Sequence, residues 1–308
     1  MKNLWDDTEA SKCKSDLDLR VYTSNLLGQS DELVLHGGGN TSVKSMVDGE
    51  EILYVKGSGW DLVSIKAEGF APVKMSTLLD MAKLKELSDS DMVTQQKAAM
   101  IDKSAPNPSV EAILHAIIPF KVVDHTHADA IVTISNSKRG VELIDKLFPD
   151  FLIIPYVMPG FLLAQKIYEM TQGEFDWDAC EGIILHNHGI FTFDNDAKRS
   201  YDKMIDAVSV AEAFLEKNAS VEFKNLEARA FDIGLLNIDE FMHINQTPLA
   251  LTYASSEDLR ATVTRGVLTP EHIIRTKRLP LVIENDEVQE ALKHFKVKWD
   301  LSYYVRMS

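Results

Sequence analysis

His125-Thr126-His127 follows the apolar-led run Val122-Val123-Asp124. In an extended strand, residues i and i+2 point to the same side, so these two imidazoles can reach one metal ion without bending the backbone. A second His-x-His, in His186-Asn187-His188-Gly189, ends another strand-like run, and Glu111 stands upstream as a carboxylate. Three ring nitrogens and a carboxylate make a catalytic zinc-type shell, with a position left for water or substrate. One His-x-His is commonplace in a chain with nine histidines; two such pairs on separate strand-like runs favour a metal site. Either His186 or His188 could be the third ligand, because strand parity does not choose between them. The other histidines have plainer readings: His36 abuts a turn, and His115, four residues after Glu111, pairs with it. His243, His272 and His294 fall in a weakly patterned region.

A second constellation is rich in donors. Gly37-Gly38-Gly39-Asn40 permits positive φ angles, and successive N–H groups in such a turn can cradle an anion. It is not a Walker A loop, and Ser42 stands where a dinucleotide fingerprint needs its third glycine. Gly57-Ser58-Gly59 is a similar turn, and Pro108-Ser109 adds a hydroxyl, giving a three-sided cup suited to phosphate. An ordinary hairpin turn explains either glycine run taken alone. Serine-nucleophile chemistry is disfavoured, since no G-x-S-x-G elbow occurs.

The elements that must position these groups follow from periodicity. Leu17, Val21, Leu26 and Leu27 predict an amphipathic helix over 16–29. Strand-like runs at 33–35, 41–44 and 52–56, punctuated by the glycine turns, predict a small antiparallel unit. A helix is expected over 76–87 and a polar loop over 88–107. Asn107-Pro108 reads as the cap and first position of a helix carrying Val110, Ile113, Leu114 and Ile117 as its buried stripe. Glu111 then lies in a first turn, where the helix dipole alone would favour a carboxylate. Strands at 121–127, 151–157 and 182–193 alternate with helices near 137–148, 159–170 and 196–217, which predicts a layered α/β domain. Thr269-Pro270-Glu271 opens a further helix, a basic patch spans Arg275-Thr276-Lys277-Arg278, and a helical stretch covers 285–295.

The 308 residues carry a formal charge of −15 and are 45% hydrophobic. That charge argues against a nucleic-acid surface, and no basic stripe suits anionic lipid. A phosphorylated substrate would need a local positive site, for which Lys44, Lys56 and backbone N–H groups are the material. Cys13 and Cys180 are far apart and form no CxxC, so a reducing cytoplasm is expected. The acidic amino terminus has no apolar core of a signal peptide, and no run of apolar residues is long enough to span a bilayer.

Taken together, Gly39-Asn40-Thr41-Ser42, Gly57-Ser58-Gly59, Pro108-Ser109-Val110-Glu111, His125-Thr126-His127 and His186-Asn187-His188-Gly189 resemble the class II aldolase/adducin-head family in order and spacing. The segments around Glu111 and His125 most resemble the aldolase half of bifunctional rhamnulose-1-phosphate aldolase/short-chain dehydrogenases, and Thr269–Arg278 resembles the connector in those proteins. The resemblance implies a three-layer α/β/α fold around a mainly antiparallel sheet over residues 15–234, with 235–308 as a carboxyl-terminal extension. It implies a homotetramer with active sites at subunit boundaries. It implies that His125, His127 and His188 bind Zn²⁺ and that Glu111 is the acid/base and a ligand when substrate is absent. Gly39, Asn40, Ser58, Gly59 and Ser109 would hold the phosphate. The expected reaction is cleavage of a ketose 1-phosphate to dihydroxyacetone phosphate and an aldehyde. An epimerase or dehydratase on the same metal site, and a non-enzymatic adducin-type interaction domain, are the alternatives. Two departures stand out. Val110 replaces a hydroxyl residue common before the family's glutamate, removing one phosphate donor. The sequence also stops at Ser308 without a GxGxxG, so it is read as a stand-alone aldolase-like protein or a truncated one.

Overall fold

A computed structural model describes residues 1–219, 245, 247–275, 278–282, 290 and 293. Within Met1–Asn218, one of two compact units, seven strands form a single sheet in the order β3-β2-β1-β4-β7-β6-β5. The strands are β1 (Asn40–Val47), β2 (Glu50–Lys56), β3 (Phe70–Lys74), β4 (Val122–Thr126), β5 (Phe151–Ile154), β6 (Gly182–Leu185) and β7 (Gly189–Asp194). Only β5 and β6 pair in parallel; the other neighbours are antiparallel. β4 is central, with His125 opposite Asn40 of β1 on one side and Phe191 of β7 on the other.

Helices in this unit are α1 (Asp7–Ala10), α2 (Asp16–Gly28), α3 (Met75–Ala82), α4 (Asp89–Ala98), α5 (Ala112–Ile117), α6 (Asp129–Ser135), α7 (Gly140–Leu147), α8 (Phe161–Met170) and α9 (Ala197–Asn218). The period-two alternation of the strands sorts them into two layers. Ile184 and Ile190 pack with Leu27, Ile131, Ile144, Tyr201 and Met204 from α2, α6, α7 and α9. Ile183, Leu185, Phe191 and Phe193 point the other way, onto Leu114 of α5 and Leu163 and Ile167 of α8. Leu53, Val55 and Val73 continue that face against α3 and α5. The fold is therefore three-layer α/β/α around a mainly antiparallel sheet, as expected.

Several expected elements differ. Leu33-Val34-Leu35 is not a strand: it follows α2 through turns, with Leu33 and Val34 buried against that helix layer. The polar stretch 88–107 contains α4, started by Ser88 accepting from Asp91 N–H; it reads as loop because only Met92 and Gln96 are buried. The helix after Asn107 begins later than its cap signal, since Pro108 forms a bridge with Gly57 and Glu111 is the residue before α5. Val110 is consequently 45% exposed rather than in the core stripe. The expected strand 182–193 is two strands, broken at 186–188. Helix α6 is not marked by periodicity, because its apolar run follows β4 almost directly.

The second unit, Ala219–Ser308, contains α10 (Pro248–Ala254), α11 (Leu259–Val263) and α12 (Pro270–Arg275) among the described residues. α12 begins where Thr269-Pro270-Glu271 predicts. His243 and His294, and all but two residues of the expected helix at 285–295, lie outside the described residues.

Candidate metal centre

His125 and His127 are placed by the end of β4, and His188 by the tight turn from β6 to β7. That turn exists because Asn187 adopts a left-handed conformation, φ 59°, which asparagine tolerates better than most residues. His188 N–H donates to the Leu185 carbonyl across the turn, at 3.1 Å. The reversal sends His186 elsewhere, half-buried and outside the cluster, so His188 is the member that joins His125 and His127. Gly189 makes the approach possible: a Cβ there would sit 2.3 Å from the Thr126 carbonyl oxygen and 3.1 Å from both the His125 and His127 rings. Gly39 does the same from the other side, with φ 61° and a built Cβ 2.7 Å from the His125 carbonyl oxygen.

The ligand atoms converge. His127 Nε2 lies 3.0 Å from His125 Nε2 and 3.1 Å from His188 Nε2. Glu111 closes the fourth side, Oε2 at 3.5 Å from His125 Nε2 and Oε1 at 3.6 Å from His188 Nε2. A tetrahedron with donors about 2.1 Å from its centre has edges of about 3.4 Å, so this spacing fits a zinc-sized ion. All four residues are buried. Glu111 Oε1 has no hydrogen-bond partner among the described residues, as expected of an atom left for a metal or substrate. Facing lone pairs of this kind are answered by a cation, and only in part by protons.

The ring of His125 is fixed before any ligand arrives. It stacks on Phe191 with centroids 4.0 Å apart, and its Nδ1–H donates to the Ile190 carbonyl at 3.0 Å, leaving Nε2 for the cluster. Burial, with His127 and His188 close by, holds its pKa well below the usual histidine range. It is thus the neutral imidazole that metal binding requires.

The three donor-rich segments also come together. Gly57 bridges Pro108, Ser58 N–H donates to the Asn107 carbonyl at 2.8 Å, and Ser109 N–H donates to the Lys56 carbonyl at 3.1 Å. Lys56 Nζ, itself buried, donates to the Gly37 carbonyl at 2.9 Å and ties in the first glycine turn. Ser58 and Gly59 are exposed and Ser109 is half-buried, its Oγ accepting from the Glu111 N–H at 3.2 Å. Asn40 is deeper, its Nδ2 donating to Glu111 Oε2 at 2.5 Å. Lys44, also expected near phosphate, is engaged elsewhere: it donates to the Ile118 and Phe120 carbonyls.

Two features of the site are not marked by sequence pattern. His115 does not pair with Glu111 directly; it bonds Asn40 and Ser42. A fully buried ion pair, Arg20 with Asp124 at 2.5 Å, anchors β4 next to His125. An arginine on an amphipathic helix normally signals solvent, so nothing in the pattern marked it.

The family model described as the class II aldolase and adducin N-terminal domain matches residues 20–215. The chain belongs to this family. A further model, aldolase class II, second domain, matches residues 234–306. Among solved structures, the N-terminal class II aldolase domain of a conserved Thermoplasma acidophilum protein is 40% identical, with a TM-score of 0.63, over 70% of this chain and 99% of that one. A Bacillus subtilis protein named uncharacterized oxidoreductase YuxG is 30% identical over 95% of this class II aldolase family chain, which spans only 46% of that relative. A Mycoplasma pneumoniae protein named probable L-ribulose-5-phosphate 4-epimerase UlaF is 23% identical over 66% of this chain and 83% of its own.

Proposed function

We propose that this family member is a Zn²⁺-dependent aldolase cleaving a rhamnulose-1-phosphate-like ketose 1-phosphate to dihydroxyacetone phosphate and an aldehyde. The observation that carries the reading is the Glu111 carboxylate lying within 3.5–3.6 Å of two of three converged histidine nitrogens. A zinc ion held by His125, His127 and His188 would supply Lewis-acid polarisation of the ketone and its neighbouring hydroxyl. Glu111 would exchange the proton on the reacting carbon or hydroxyl, through the oxygen not held by Asn40. Gly39, Asn40, Ser58, Gly59 and Ser109 would form the phosphate cup, with Lys56 supplying local positive charge in an acidic chain. Residues 15–234 would carry all of this chemistry, in a cytoplasmic homotetramer, with 235–308 as the extension.

Epimerisation or dehydration on the same site is the second reading, favoured by the similarity to a protein named as a probable epimerase. The retained ligand set weighs against a purely interacting, adducin-type role. The test is dihydroxyacetone phosphate release from L-rhamnulose 1-phosphate, with chelator and with zinc restored. Chelator should stop release and zinc should recover it, while His127→Ala should lose both stoichiometric metal and release. Isomerised or dehydrated product from a zinc-loaded protein, without cleavage, would move the assignment to the second reading. Full metal occupancy in His127→Ala would sink the ligand set.

A further inference from the structure

Behind the metal cluster, a strand and a helix meet in a polar ladder that the proposed reaction does not by itself require. Asn40 and Ser42 are two apart on β1 and share a face; Glu111 and His115 are four apart, one helical turn, at the start of α5. All four are buried, Ser42 and His115 completely. Ser42 Oγ lies 2.7 Å from His115 Nδ1, His115 Nε2 bonds Asn40 Oδ1, and Asn40 Nδ2 donates to Glu111 Oε2.

Donor and acceptor chemistry gives this ladder one direction. An ionised carboxylate only accepts, so Asn40 must turn its NH₂ toward Glu111 and its carbonyl toward His115. A carbonyl only accepts as well, so the proton of His115 sits on Nε2. Complete burial keeps the ring neutral, so Nδ1 is a bare lone pair, answered by the Ser42 hydroxyl. Were the ring to carry its proton on Nδ1 instead, Asn40 would lose the reason to hold its amide that way round. The ring is packed against an aromatic neighbour as well. Phe191, stacked on His125, meets His115 edge-on with centroids 5.4 Å apart.

We propose that His115 is a positioning residue: held by Ser42 as the neutral Nε2–H tautomer, it fixes the Asn40 amide, which grips Glu111 Oε2 and presents Oε1 to the three-histidine cluster. Its role in catalysis rests on the aldolase reading, in which Glu111 is the proton-exchanging group. Its structural content does not. The ladder makes the metal site and the acid/base share a single orientation, set by a histidine that touches neither the substrate nor the cluster.

The first test is on the zinc-loaded full chain with ¹⁵N in the histidine rings, the His115 signals being assigned by their loss in His115→Gln. Nε2 should be protonated and Nδ1 not; a proton on Nδ1 overturns the proposal whatever the protein catalyses. The second compares His115→Leu, which keeps apolar bulk, with His115→Gln, which keeps an N–H at the same end of the side chain. Loaded with Co²⁺, the leucine variant should bind one ion per chain but show a changed visible spectrum as Glu111 loses its orientation. Its kcat should fall about 10- to 100-fold, the range for removing a group that orients metal-site residues, with KM changed less than about threefold. The glutamine variant should recover most of the spectrum and rate. A wild-type spectrum in the leucine variant, or equal damage in both, overturns the proposal. Absence of aldol cleavage in the wild-type chain would fail the reaction alone, and the ring tautomer and cobalt spectra would still decide the role of His115.

Discussion

Burying a neutral histidine ties stability to pH with a definite sign. Desolvation pulls His115 down to about 3 and holds His125 well below the ordinary range, whereas both titrate near 6.5 in an unfolded chain. Between those values the unfolded state binds the extra protons, so stability is complete above about pH 6.5 and declines as pH falls. Each such group contributes a slope of about 1.4 kcal/mol per pH unit where only the unfolded state is protonated. The urea midpoint of metal-free protein should therefore be lower at about pH 5 than at about pH 7, and His115→Gln should shrink the difference. An equal or higher midpoint on the acid side would show that these rings are charged in the folded state. The same residues show how far a sequence carries. His125 and His127 could be read from spacing because strand parity needs no tertiary knowledge. His188 could not be chosen over His186, because the choice is made by the turn at Asn187.

At the scale of elements, β4 has to hold His125 between two neighbouring strands, and a buried ion pair contributes to that. Arg20 of α2 meets Asp124 on the sheet face opposite His125, and Ser200 of α9 donates its hydroxyl to the same carboxylate at 2.5 Å. Removing one partner strands the other charge in a dry interior, which costs about 3–5 kcal/mol, whereas removing both charges costs much less. Arg20→Met should destabilise by that amount in urea unfolding, and adding Asp124→Asn should recover much of it, since the amide can still accept from Ser200. A single-variant cost below about 1 kcal/mol would mean that the pair does not anchor β4. Elements with amphipathic or alternating patterns, such as α2, α9 and β4, could be read in advance. Those missed had patterns that pointed elsewhere. α4 is polar because it lies on the surface, and Leu33-Val34 is apolar because it plugs the core under α2, not because it pairs.

For the whole molecule, the three clustered histidines, Glu111, the proposed phosphate cup and the core clusters described above all lie within Met1–Asn218. Nothing described in that unit needs residues beyond it to close the sheet or complete the histidine cluster. The Thermoplasma acidophilum domain, 40% identical and covered over 99% of its length, was solved as an N-terminal domain. A fragment of residues 1–218 should accordingly unfold cooperatively and bind one zinc per chain about as tightly as the full chain. Residues 219–308 add a unit that the second-domain family model matches over 234–306. If that unit serves assembly or substrate access rather than the metal, the fragment will keep its zinc while its turnover or its sedimentation changes. A fragment that folds but loses zinc would show that the second unit completes the site. One that fails to fold would place part of the core's stability beyond Asn218.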